Sequence, residues 1–71
     1  MPVIDTFFVI QFDNDDYFKS FKLDGSGYIV SKGLHGASKF ITMSEALMIA
    51  NELRTEFKAT SAIRQIEVIT R

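Results

Sequence analysis

The stretch Phe40-Ile41-Thr42-Met43-Ser44-Glu45-Ala46-Leu47 carries the reading of the whole chain, because it runs a short extended segment straight into a helix start. Thr42 is placed to accept from the amide of Glu45, and the Glu45 side chain to reach back to the amide of Thr42, which is a capping box. Two of the donors that a helix start leaves unpaired are thereby satisfied. Beyond it, Met43, Ala46, Leu47, Ala50, Leu53 and Phe57 fall on one stripe at helical spacing, with Ile49 at its edge. The helix is predicted from about Met43 to Lys58. Glu52/Glu56 and Arg54/Lys58 are like-charge pairs one turn apart, so the charges offer little local help, although Glu45 and Lys58 suit the helix dipole. Packing must hold it.

Upstream, Thr6 to Phe12 is nearly all apolar, too dense for a strand with one wet face. Asp13-Asn14-Asp15-Asp16 breaks that run as a turn, and Tyr17 to Leu23 reads as a second strand. Asp24-Gly25-Ser26-Gly27 is a second turn, followed by a strand at Tyr28 to Ser31. Lys32 to Gly36 reads as a loop, and Ser38 to Ile41 as a further short extended piece. After the helix, a polar break at Thr60-Ser61 leads into alternation from Arg64 to Thr70, the last strand. The fold class is therefore α+β: a three-stranded antiparallel meander, one helix on one face, and a final strand in the order β-β-β-α-β. Placing that final strand beside the first would make the first strand central, which fits its two-sided apolar pattern.

If both turns are four residues long, Phe12 faces Tyr17 and Leu23 faces Tyr28, and strict alternation sorts the side chains onto two faces. Phe8, Ile10, Phe12, Phe21, Leu23, Tyr28 and Val30 form the floor for the helix. Phe7, Val9, Gln11, Phe18, Ser20, Lys22, Ile29 and Ser31 form the other face. With a single predicted helix, nothing is left to cover Phe7, Val9, Phe18 and Ile29. An exposed apolar patch of this kind marks an association surface. The predicted interface is Phe7, Val9, Phe18, Lys22 and Ile29.

A chain of 71 residues has room for one small domain that buries only about 60% of its unfolded surface. It has no cysteine, so neither a disulfide nor a thiolate metal site can staple it. Oligomerisation is the remaining common route to more buried area. A hydrophobic content of 46% with seven Phe argues for a folded domain over a disordered one, and a net charge of −1 gives no field strong enough to predict a polyanionic partner. The N-terminal Met1-Pro2-Val3-Ile4-Asp5 lacks the basic segment and apolar run of a signal peptide, and no apolar run approaches a bilayer span. A cytoplasmic protein without membrane contact is expected.

Chemistry-bearing motifs are lacking. His35 is the only histidine and has no nucleophile and orienting acid assignable to it, so an exposed loop residue is expected. Asp13, Asp15 and Asp16 resemble the start of a calcium loop, but the later positions fall on Tyr17, Phe18 and Asp24, which fails the pattern. Gly25-Ser26-Gly27 leads into a strand instead of a helix, so it is a turn and not a phosphate cradle. No catalytic, metal or cofactor residue is assigned, and no small-molecule substrate is expected. Single-stranded nucleic acid stacked on a sheet face is the alternative, with Phe7, Phe18, Lys22 and Lys39 as its set.

The strand Tyr28-Ile29-Val30, the segment Ala37-Ser38-Lys39-Phe40-Ile41-Thr42, the pair Glu45-Ala46 with Ala50 beyond it, and a closing strand resemble short phage and prophage accessory proteins of Gram-positive bacteria. The likeness covers the last two-thirds of the chain. It carries no catalytic residue across. It implies a class of small non-enzymatic proteins that bind a host protein, inhibitors of host defence among them. A homodimer, another protein, or both are the expected partners.

Overall fold

In the computed structural model, residues 3–69 are described, the side chains from residue 5 onward. Four strands form one antiparallel sheet: β1 (Val3–Phe12), β2 (Tyr17–Phe21), β3 (Tyr28–Ser31) and β4 (Ser61–Ile69). A short 3-10 turn, Leu34–Gly36, follows β3, and helix α1 (Met43–Phe57) precedes β4. The strand order is β3-β2-β1-β4, so the final strand takes the place beside β1 and makes it central. The two-sided apolar pattern of β1 has its physical cause there. Ile10 lies on the helix side and Val9 on the other, and neither exposes any surface.

β1 and β2 pair directly only where Gln11 meets Tyr17. Farther along they part, and the segment just before α1 slides between them. The Phe8 amide donates to the Phe40 carbonyl and the Phe40 amide to the Phe8 carbonyl, both at 2.8 Å. On the other side the Ser38 amide donates to the Phe18 carbonyl at 3.0 Å. The predicted extended piece at Ser38 to Ile41 thus becomes a wedge that satisfies backbone groups of two splayed strands.

The helix start agrees with the sequence in part. Thr42 is the N-cap and its Oγ1 accepts from the Glu45 amide at 3.3 Å. The Glu45 carboxylate accepts from the Thr42 hydroxyl at 3.2 Å instead of reaching the Thr42 amide. At the other end Lys58 adopts a left-handed conformation, φ 55°, and its amide closes the helix on the Arg54 carbonyl at 3.0 Å. α1 therefore ends one residue before the predicted boundary.

Ile10, Phe12, Phe18 and Leu53 make the centre of the core, with Phe21, Tyr28, Phe40, Ile49, Ala50, Phe57 and Ile63 packed around it. Aromatic pairs dominate: Phe12 stacks on Tyr28 at 5.1 Å, and Phe18 meets Phe21 edge-to-face at 5.0 Å. Two expectations fail here. Leu23 is fully exposed in the β2–β3 turn, since Phe21, and not Leu23, faces Tyr28. Met43 and Leu47 stay exposed because the buried stripe of α1 is centred on Ala46 and Leu53.

Candidate functional site

The predicted interface does not assemble. Phe18 is 3% exposed and belongs to the core, for a reason that lies in the first hairpin. Its loop is three residues long, not four. The Phe12 amide donates to the Asp16 carbonyl at 2.8 Å, the Asp15 amide to the Phe12 carbonyl at 3.0 Å, and Asp15 sits at φ 70°. A three-residue loop ending in a left-handed residue is a common hairpin closure. It pairs Tyr17 with Gln11, so Tyr17 leaves the helix side and Phe18 joins it. A register shift between Phe18 and Ser20 then moves Phe21 back to the helix side as well.

The other four members are separated. Val9 is fully buried. Lys22 lies in the β2–β3 turn, its amide donating to the Gly27 carbonyl at 2.9 Å. Ile29 is 43% exposed on β3, opposite Ser20. Phe7 is half-buried on β1, with β2 and the 38–40 wedge between it and Ile29. The loop after β3 flanks Phe7: Leu34, His35 and Lys39 line one shallow depression with it, and the Lys39 Nζ stands 5.6 Å above its ring. That loop is pressed close to β3, since a Cβ at Gly36 would collide with the Ser31 hydroxyl.

Among the described residues the titratable groups lie apart from one another, except where Asp16 meets Lys32. Among the described residues no group of three His, Cys, Asp or Glu is placed to hold a metal ion. Asp16 is the one buried acid among them, and its carboxylate meets Lys32 Nζ at 3.2 Å and Asn14 Nδ2 at 3.2 Å, a brace for the hairpin loop. The Asp24 carboxyl is held below its ordinary range by the Ser26 hydroxyl, 2.7 Å away, and by the Ser26 amide at 2.9 Å. His35 is exposed. A depression of about 530 Å³ between α1 and the β2–β3 turn is lined by Phe21, Gly25, Glu52, Glu56 and Phe57, two carboxylates with no basic partner on that wall.

What the fold does leave open is an edge. Phe8 turns both of its backbone groups toward Phe40, so its neighbours Phe7 and Val9 turn theirs toward β4. Their partners on β4 are Ile66 and Arg64. By alternation, Ile63, Gln65 and Glu67 aim their amides and carbonyls away from β1, where no other described strand takes them up. β4 is nine residues long, and the register shift on that ladder falls in β1 between Val3 and Asp5. It contains neither proline nor lysine, two common guards of an edge. Arg64 is held across the ladder, its Nε donating to Gln11 Oε1 at 2.7 Å. Ile69 is 50% exposed, and so is Leu47 at 54%, on the flank of α1 that shares a depression with Ala59, Thr60 and Ser61. The signal for this edge was in the sequence: a final strand outside β1 is an edge strand.

Over its whole length the chain is 49% identical to the SPbeta prophage-derived uncharacterized protein YopF of Bacillus subtilis strain 168, and the match covers all of that protein. The chain belongs to the YopF family. The resemblance to short prophage proteins of Gram-positive bacteria, carried by Tyr28 to Ala50, holds over the full chain. No family model matches it, and no solved structure matches it. No helix among the described residues of this YopF relative is long and apolar enough to cross a membrane.

Proposed function

We propose that this member of the YopF family is a non-enzymatic protein-interaction module that works as a homodimer. The supporting observation is the long, unguarded β4 edge flanked by the exposed Leu47 and Ile69. Unpaired strand edges recruit further strands, and a small chain gains core by doing so. A prophage protein of this size fits a role as a binder of a host protein, with the dimer presenting two equivalent surfaces. Single-stranded nucleic acid is the second reading, supported by Lys39 above the Phe7 ring. It loses two of its expected members, since Phe18 is in the core and Lys22 in a turn.

Sedimentation equilibrium at moderate salt is expected to give twice the 8.1 kDa chain mass at micromolar concentrations. A monomer at every concentration up to the solubility limit would overturn the dimer. Oligonucleotide binding that falls steeply with salt and is lost in Lys39→Ala would favour the second reading.

A further inference from the structure

We infer that two copies join through β4, antiparallel, about a two-fold axis passing between their Ile66 residues. This rests on the homodimer proposed above and names its seam. An axis perpendicular to the sheet keeps each residue on its own face, so an odd-numbered β4 residue meets an odd-numbered one. The free edge groups belong to Ile63, Gln65 and Glu67, which meets that requirement.

Charge then selects the register. An axis at Arg64 sets Arg64 against itself, and an axis at Glu67 sets two carboxylates together. An axis at Gln65 sets Ile63 against Glu67, Ile66 against Arg64 and Ile69 against Ser61, so none of the three isoleucines gains an apolar partner. With the axis at Ile66, Gln65 faces the second copy's Glu67, Arg64 faces its Val68, and Ile63 faces its Ile69. No like charges oppose one another, and every apolar residue of the central stretch gains an apolar or aliphatic neighbour. The same register carries Ile69 of the second copy to Ile63, two residues along β4 from Ser61, which lines a depression with Leu47. Ile69, half-exposed in the single chain, thereby gains an apolar cover. The two four-stranded sheets become one continuous sheet with both helices on the same side.

The absence of cysteine gives a direct test. Ile66 and its copy would form a non-hydrogen-bonded pair with Cα atoms about 4.5 Å apart, within disulfide reach. Ile66→Cys is therefore expected to form a covalent dimer under mild oxidation, and Ile29→Cys to remain uncoupled. Gln65→Pro removes an amide that points away from β1, so the fold should persist by circular dichroism while the dimer weakens at least about tenfold. If the wild-type chain is dimeric but neither Ile66→Cys nor Gln65→Cys cross-links, the β4 seam is wrong and self-association stands. If Gln65→Cys cross-links and Ile66→Cys does not, the axis lies at Gln65 and the register inferred here is wrong. A monomeric wild-type chain overturns both.

Discussion

Phe18 and Ile29 sit on adjacent strands and carry similar apolar weight, yet their environments differ sharply. Phe18 contacts Phe21 and Phe40 and fills the centre of the core, while Ile29 faces solvent. Phe18→Ala is expected to cost about 3–5 kcal/mol, and Ile29→Ala less than about 1 kcal/mol, in chemical denaturation of the same preparation. Equal effects would mean that Phe18 is not in the core. Asp24 offers a second residue-scale test. Its carboxyl is lowered by two donors from Ser26, so the contribution of this contact is present above the unfolded-state value and is lost as pH falls through the folded one. Ser26→Ala should raise the Asp24 carboxyl toward its ordinary value in an NMR titration. As Asp24 is fully exposed, the shift itself, and not a change in stability, is the quantity to read.

At the scale of elements, α1 depends on Thr42. Thr42→Ala removes the acceptor of the Glu45 amide and is expected to cost about 1 kcal/mol, whereas Ser44→Ala should be nearly neutral. The reverse order of costs would move the helix boundary. The Thr42 cap, the helix span to within one residue, the strand count and the central place of β1 could all be read in the sequence, because each is signalled by residues close together. The face assignment of β2 could not. It turns on whether the first hairpin loop holds three residues or four, and the usual marker is a glycine at the left-handed position. Here that position is Asp15, which tolerates φ 70° but does not advertise it. One residue of error there moved Phe18 from core to surface and dissolved the expected interface. The shift between Phe18 and Ser20 was equally silent, and it happens to restore Phe21 to the side the sequence had given it. Met43 and Leu47 lie outside the core for a different cause: periodicity marks an apolar stripe, but not how much of its width the sheet beneath can cover.

For the whole molecule, the extents of 42 × 23 × 22 Å describe an elongated body whose long dimension suits the ten-residue β1. Between Val3 and Phe7 the only in-plane neighbour of β1 among the described residues is β4. A two-stranded ribbon by itself is marginal in water. Hydrogen exchange should therefore divide the molecule, with the paired amides of Phe8 and Val9 the slowest of β1 and those of Glu67 and Val68 faster by at least about tenfold in the single chain. Slowing of the Glu67 amide with rising protein concentration, while Phe8 and Val9 hold steady, would report pairing at the edge. Uniform protection along β4 at all dilutions would contradict the described ribbon.

The wedge at Phe40 also governs when the protein can come into being. β1 precedes both of its long-range neighbours in the chain, the wedge about thirty residues on and β4 later still, so both are synthesised after it. Loop closure over such separations must precede the contacts that reward it, which slows folding. While translation continues, the nascent chain holds an unpaired apolar strand and a partial hairpin. The core closes only once β4 is present to pair with β1 and bring Ile63 onto it, so a chain cut short before Ser61 is expected to lack a cooperative unfolding transition.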